Sequence, residues 1–465
     1  MKKKAWVPFF LVMICPALLN AQWARAYGGK MNEEATCLQQ TPEGGFIVVG
    51  TTESTSYGIT RKNIWVVKLS ASGKVLWQKS YVPPSPSVNP FVQTTRDNGY
   101  IITGERGDGV NFGTSTDLIG IKLDANGNTR WHTLVCDPDN FVYHSAEYGR
   151  AVQQTSDGGY IFTGVRSIFW LLEGSNSLIP NQSGWDRDLF IFKTDSLGNG
   201  KWGGQFGGDG DDQGQSIQET PDGGFIVAGY TDSFGAGDYD AYVLKFGNKR
   251  NLEWEATYGG KNLDQAHEVR RTADGGYIVS GPTKSFGAGD YDVWLLKLDG
   301  KGRIRWQKTY GGSKADYGHS VYPTTDGGFI LAGSTSSFGS GNYDCWVLKL
   351  DAKGTILWEK TYGGEAYDGA FSVRPLKTKE FVVAGKTRSL GAGGYDALVM
   401  KLAENGNIDA SCGSFIKNSK ATVLKGKGEV EFYAGHGGLD SFSDWRSFSV
   451  PLTVTKASNT VICKK

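Results

Sequence analysis

Methionine and histidine are scarce in this chain, 4 and 5 of 465 residues, and cysteine and proline number only 6 and 14. No Cys/His spacing matches a zinc site, and no Ser-His-Asp or Cys-His arrangement stands out. An excess of one charge is missing too, since 49 Lys and Arg stand against 48 Asp and Glu. That balance offers nothing to attract nucleic acid or an anionic membrane surface. Helical periodicity is absent throughout, which argues against an α-helical fold. Beyond the N-terminus no apolar run reaches the roughly 18 residues that a membrane-spanning helix needs.

What is abundant is glycine, 66 residues, roughly twice ordinary usage. Aromatics are plentiful as well, a mix that suits short strands, tight turns and large side chains between sheets. The tryptophans fall on a period. Trp23, Trp77, Trp131, Trp202, Trp254, Trp306 and Trp358 lie 54, 54, 71, 52, 52 and 52 residues apart. A period near 50 points to a propeller or solenoid array, and solenoid rungs are usually much shorter.

The fifth unit shows the pattern. Trp254 to Tyr258 leads through Asp264 to a run ending at Thr272, then Asp274-Gly275-Gly276, Tyr277 to Gly281, Ser285 to Asp292, and Val293 to Asp299. Four runs alternate with Gly/Asp turns, and Asp-Gly-Gly is a hairpin signal because glycine readily takes positive φ. In the seventh unit Lys377-Thr378-Lys379-Glu380 replaces that signal, so a different turn is expected there. The expectation is all-β: a seven-bladed β-propeller of four-stranded antiparallel blades over residues 22–410. Asn407 to Ala410 reads as an eighth, degenerate copy of the Trp strand. The N-terminal strand Gln22 to Tyr27 is expected to complete the last blade, leaving no open sheet edge. Residues 411–465 depart from the repeat and read as a small C-terminal β tail or appendage.

Residues 1–21 read as a secretory signal: Lys2-Lys3-Lys4, an apolar stretch from Trp6 to Leu19, then Asn20-Ala21-Gln22. Ile14 sits where a lipobox wants a small residue, which argues against acylation of Cys15. Removing that segment takes three lysines and no acids, so 46 basic residues face 48 acids and the net charge becomes −2. The implied location is secreted, periplasmic or cell-surface. Cys345 reads as a buried thiol. Cys412 and Cys463 bracket the tail and are the candidate disulfide in an oxidising compartment.

Units such as Ile356-Leu-Trp-Glu-Lys-Thr-Tyr-Gly-Gly364, Thr325-Asp-Gly-Gly-Phe-Ile-Leu-Ala-Gly333 and Ser337-Phe-Gly-Ser-Gly-Asn-Tyr-Asp344 resemble the repeats of secreted bacterial and archaeal β-propellers. The resemblance implies the fold. It transfers no catalytic residue, because members of that family are mostly of unassigned function.

An acid recurs before the first strand of the unit as Glu33, Asp212, Asp264, Asp316 and Asp368, and a second as Asp117, Asp188, Asp240, Asp292, Asp344 and Asp396. Five residues after the second comes a lysine, which needs a partner in a neighbouring strand if buried. Asp in turns commonly caps backbone N–H groups. His267 and His319 follow Asp264 and Asp316 at equal spacing, a candidate ligand set for zinc or another transition metal. Gly207 to Gly214 is acidic enough for calcium but lacks the ordered EF-hand spacing. No other cofactor is implied.

Departures from symmetry draw attention to loops, where function collects on rigid scaffolds. The long third unit carries Phe141, Tyr143 and His144 in one insertion, and Trp170 and Trp185 in another. Exposed aromatics there would stack on sugar rings or hold a peptide. The expected function is a monomeric binding or scaffolding propeller with a glycan or protein ligand. The alternative is a secreted polysaccharide hydrolase or lyase using channel-mouth carboxylates. No acid stands apart from the repeat in one blade, which favours binding without turnover.

Overall fold

The computed structural model describes residues 22–53, 62–81, 89–107, 116–135, 143–171, 178–180, 187–391, 394–409, 416–419, 422–424, 429–433 and 454–455. Seven antiparallel sheets form a ring, and no helix occurs among the described residues. Each blade runs outward from an innermost strand. In blade 6 the order is Asp316–Pro323, Phe329–Thr335, Asp344–Leu350 and Ile356–Tyr362. The two middle strands are buried along their whole length, and the outermost is largely half-exposed. The core lies between blades: Val293, Leu295 and Tyr310 of blade 5 pack on Val321, Leu331, Trp346 and Leu348 of blade 6.

The ring closes as expected. Trp23–Tyr27 pairs antiparallel with Asp396–Leu402 and supplies the outermost strand of blade 7. Among the described residues Asn407 to Asp409 form no eighth Trp strand, and Ala410 lies outside them. Ala403 to Asn407 make the turn after the third strand of blade 7, with Gly406 N–H donating to Ala403 at 2.9 Å, and the N-terminal strand holds the position that a further strand would take.

The Trp period has a packing cause. On five of the seven outermost strands Trp and Tyr four residues apart share one face and together clamp the positive-φ glycine in the next blade's outer turn. Val135 and Phe206 replace the tyrosine in blades 2 and 3. A Cβ on Gly302 would lie 2.9 Å from the Trp254 ring, and Tyr258 Oη donates to the Gly302 carbonyl at 2.5 Å. Trp23 and Tyr27 do the same to Gly73, joining blade 7 to blade 1, with Tyr27 Oη to the Gly73 carbonyl at 2.6 Å. Between blades 3 and 4 the glycine is replaced by Arg250, still at φ 67°, whose guanidinium lies 5.3 Å from the Trp202 ring.

The repeated lysines close the inner hairpins. Lys122, Lys193, Lys245, Lys297 and Lys349 pair with the turn carboxylates Asp97, Asp157, Asp222, Asp274 and Asp326 at 2.7–2.9 Å. The seventh hairpin does not turn differently. Lys379 takes φ 66°, the bonds Lys379 N–H to Leu376 and Leu376 N–H to Glu380 close it, and Glu380 receives Lys401 at 3.1 Å. Few non-glycine residues accept that conformation, but a turn needs only one such position.

The described C-terminal strands do not form a sheet of their own. Ile416–Asn418, Thr422–Leu424, Glu429–Tyr433 and Val454–Thr455 add a fifth strand to the outer edges of blades 6, 5, 4 and 1 respectively. Edges that would otherwise present unpaired backbone groups are covered there.

Candidate functional site

In antiparallel blades the starts of the first and third strands share one face of the ring with the ends of the second and fourth. That face carries a succession of tyrosines. Tyr291 meets Tyr317 at 4.9 Å between ring centroids, Tyr317 meets Tyr343 at 6.1 Å, Tyr343 meets Tyr367 at 5.4 Å, and Tyr367 meets Tyr395 at 5.7 Å. The arc spans blades 5, 6 and 7, and every one of these rings is half-buried.

The repeated acids hold this arc in place. Asp292 accepts from Ala288 and Gly289 N–H at 2.9 and 3.0 Å, and Asp344 from Ser340 and Gly341 at 2.8 and 3.2 Å. These caps fix the loops that present Tyr291 and Tyr343. The first set of acids works similarly: Asp212, Asp264, Asp316 and Asp368 accept from a glycine N–H four residues earlier at 2.8–2.9 Å. All four are fully buried. They act as caps for the turns that lead into the innermost strands.

A pocket of about 510 Å³ opens against the arc between blades 6 and 7, lined by Lys314, Asn342, Tyr343, Tyr367, Arg388 and Tyr395 among others. Nearer the channel Lys386 lies 5.2, 5.5 and 4.6 Å from the rings of Tyr367, Phe371 and Tyr395, and pairs with Glu34 at 3.5 Å. Across the channel the lining turns from aromatic to charged. Arg150 pairs with Glu105 at 3.3 Å and Arg187 with Asp211 at 3.6 Å, around a polar cavity of about 160 Å³.

Of the candidate metal ligands, the structure brings His267 and His319 together and leaves the two acids elsewhere. The imidazoles stack at 5.9 Å and 4°, and His267 Nε2 lies 3.1 Å from Gln265 Oε1. Asp264 and Asp316 are engaged with Thr283 and Thr335 as well as with backbone. Among the described residues no group of three or more His, Cys, Asp or Glu is placed to hold a metal ion. In the acidic loop, Asp211 and Asp212 accept from Gln213, Tyr239, Ser233 and Gly208.

Burial keeps both histidines neutral, and His319 is lowered further by His267 and Lys386. Burial pulls His267 down to about 4, and burial with His267 and Lys386 nearby pulls His319 down to about 3. The unfolded chain, with His near 6.5, therefore binds protons that the folded chain refuses as pH falls from about 6.5 to 4. Stability from this pair is present above pH 6.5 and is lost through that window. Asp212, which burial raises to about 6, acts in the opposite sense between about 3.8 and 6. The expected result is a difference: His319→Gln flattens the fall in Tm between pH 6.5 and 4 relative to the parent. Parallel profiles for the two proteins would refute the assignment.

Of the insertion residues, Phe141 and Trp185 lie outside the described residues, as do Cys412 and Cys463. Tyr143 and His144 begin the innermost strand of blade 3, and their backbone partners are Trp170 and Phe169 in an extended hairpin. That hairpin end lies on the same face as the tyrosine arc. The arc itself is not evident from sequence, because Tyr291, Tyr343 and Tyr395 repeat from unit to unit while Tyr317 and Tyr367 fall at unrelated positions.

No family model matches the sequence. Over 162 residues the chain is 28% identical to regulatory protein FlaEY of Caulobacter vibrioides, a match covering 30% of this chain and only 17% of that protein. Among solved structures it is similar to an α-L-arabinanase of Penicillium chrysogenum complexed with arabinobiose, at 11% identity and a TM-score of 0.40, covering 82% of this chain and 98% of that one. It is similar also to the polysaccharide lyase Uly1, at 9% identity and a TM-score of 0.33, covering 79% and 77%.

Proposed function

We propose that this is an exported or surface-displayed binding propeller whose tyrosine-bearing face holds a glycan chain. The observation that carries this reading is the unbroken arc from Tyr291 to Tyr395 beside a pocket of about 510 Å³. Sugar rings present flat C–H faces, and tyrosine meets them with an apolar ring and a hydrogen-bonding tip at low entropic cost. An extended run of such rings suits a polymer better than a small molecule, whose sites are usually more enclosed. The extended blade 3 hairpin bearing Tyr143 and Trp170 stands on the same face and would border the bound chain.

A hydrolase or lyase reading would have to use acids other than those heading the innermost strands. Asp212, Asp264, Asp316 and Asp368 are fully buried, so they cannot reach a substrate.

Calorimetric titration against a glycan panel, with reducing-end release followed in parallel, tests the proposal. The double variant Tyr343→Ala, Tyr395→Ala should bind about 10- to 30-fold more weakly, at roughly 1 kcal/mol per lost ring contact. Its Tm should stay within a few degrees, because both rings are half-buried. Turnover that disappears on carboxylate substitution would replace binding with catalysis, and unchanged affinity in the double variant would move the site off the arc.

A further inference from the structure

We infer that the pocket between blades 6 and 7 selects an acidic sugar unit, one bearing a carboxylate or a sulfate. The inference rests on the glycan-binding reading above and specifies its ligand.

The repeat itself makes the argument. Asp232, Lys284, Ser336 and Arg388 are one position, each one repeat from the next. The loop acid that precedes the arc tyrosine is likewise one position, occupied by Asp238, Asp290, Asn342 and Gly394. In blade 5 the two positions neutralise each other, with Lys284 paired to Asp290 at 3.0 Å. In blade 7 the basic residue is kept, as Arg388, and the acid is gone, as Gly394. In blade 6 the acid has become neutral Asn342. The pocket thus loses both acids where it gains a cation.

A second cation arrives from another position. Lys314 lines the same pocket, where blades 4, 5 and 7 carry Gly210, Asn262 and Ala366. Among the described residues neither Lys314 nor Arg388 has an ion-pair partner, both are exposed, and no carboxylate lines the pocket. The Arg388 guanidinium lies 5.3 Å from the Tyr395 ring, with its donors left for a ligand. A guanidinium fork matches a carboxylate or sulfate in two bonds, and the neighbouring rings supply the stacking surface for the sugar that carries it.

The pocket at blade 4 has the opposite character. About 640 Å³ in volume, it is lined by Asp209 and Asp232 and has no basic residue among its lining. One scaffold position is Asp232 at one end of the face and Arg388 at the other, so the charge belongs to the site rather than to the repeat.

Binding of polygalacturonate, dextran sulfate and neutral laminarin to the full chain tests the inference. The parent protein should prefer at least one acidic polymer over laminarin by about 10-fold or more at low salt. That preference should shrink as salt shortens the Debye length from about 30 Å to 8 Å. The variant Lys314→Gln, Arg388→Gln should lose the preference while its Tm stays within about 2 °C of the parent, which separates lost charge from lost fold. Preference for polygalacturonate alone names a carboxylate, and for dextran sulfate alone a sulfate. Equal binding of neutral and acidic polymers by the parent, or a preference that survives in the variant, overturns the inference and leaves the glycan reading standing. Failure to bind any of the three polymers or any other glycan overturns that reading itself.

Discussion

A chain beginning at Gly28 should lose roughly 5 kcal/mol or more of stability and unfold without a single cooperative transition. The deleted strand buries Trp23, Ala24, Ala26 and Tyr27, each no more than 7% exposed. Burial of the Trp and Tyr side chains contributes about 2–3 kcal/mol each, with the alanines adding less. The strand also forms the whole outer edge of blade 7, five backbone-paired residues against Asp396–Leu402, and the clamp on Gly73 that joins blade 7 to blade 1. Differential scanning calorimetry of the parent and the shortened chain gives the answer. Equal transition temperatures and equally sharp transitions would show that the ring does not depend on this strand.

Gly333→Ala should be among the most damaging single methyl additions, destabilising by about 3 kcal/mol or more, with failure to fold as the extreme. Gly333 lies in the second strand of blade 6, opposite a bulge between Gly318 and Ser320 in the innermost strand. The bulge brings the neighbouring backbone so close that a Cβ would stand 1.9 Å from the Tyr317 carbonyl oxygen. Backbone cannot swing aside as a side chain can, so the strands would have to part. Gly50, Gly164, Gly229, Gly281 and Gly385 meet the same obstacle at 1.6–1.9 Å. Gly327 in the same blade is the control. It has φ +81° and open space around it, so Gly327→Ala should cost only about 1–2 kcal/mol, the ordinary penalty for a left-handed alanine. Denaturant titrations of the two variants should differ clearly in midpoint. A similar loss in both would mean that backbone conformation, not the close approach, explains the repeated glycine.

Much of this architecture was legible in the sequence because its causes are local and repeat. The Asp-Gly-Gly turns, the alternation of strands and the unpaired Trp strand at the N-terminus all register within about 52 residues. The turn at Lys379 was misread because the positive φ belongs to one backbone position and not to a particular residue, and Lys379 pays that conformational penalty while keeping both turn bonds. Asn407 to Ala410 was read as a strand because it follows a turn that matches the template, whereas the place it would fill is held by residues nearly 400 positions earlier. Nothing local signals such a partner. The tail strands were legible as strands and not in their placement, since the edges they cover are set by the finished ring.

The candidate site was legible only in part, and for a related reason. Symmetry directs suspicion to residues that break the period, such as the blade 3 insertions, and discounts Tyr291, Tyr343 and Tyr395, which recur one repeat apart. Those three copies become one surface because Tyr317 and Tyr367, at other positions in the repeat, fill the gaps between them at 4.9–6.1 Å. The sign that was present in the sequence is smaller than an insertion: Asn342 and Gly394 where earlier units have aspartate, with Lys314 and Arg388 beside them.

The Trp–Tyr clamps all point the same way round the ring, from the outer strand of one blade to the outer turn of the next. Five of the seven junctions between blades are therefore joints of this kind, and each is head-to-tail, not self-complementary. Repeated joints of that kind either close on themselves or run on without limit. In this chain the closing half is the first strand of the domain. Damage that frees it leaves an unoccupied glycine turn on blade 1, ready to accept a clamp from another copy. Intermolecular chaining, rather than simple loss of structure, is the failure that this geometry builds in.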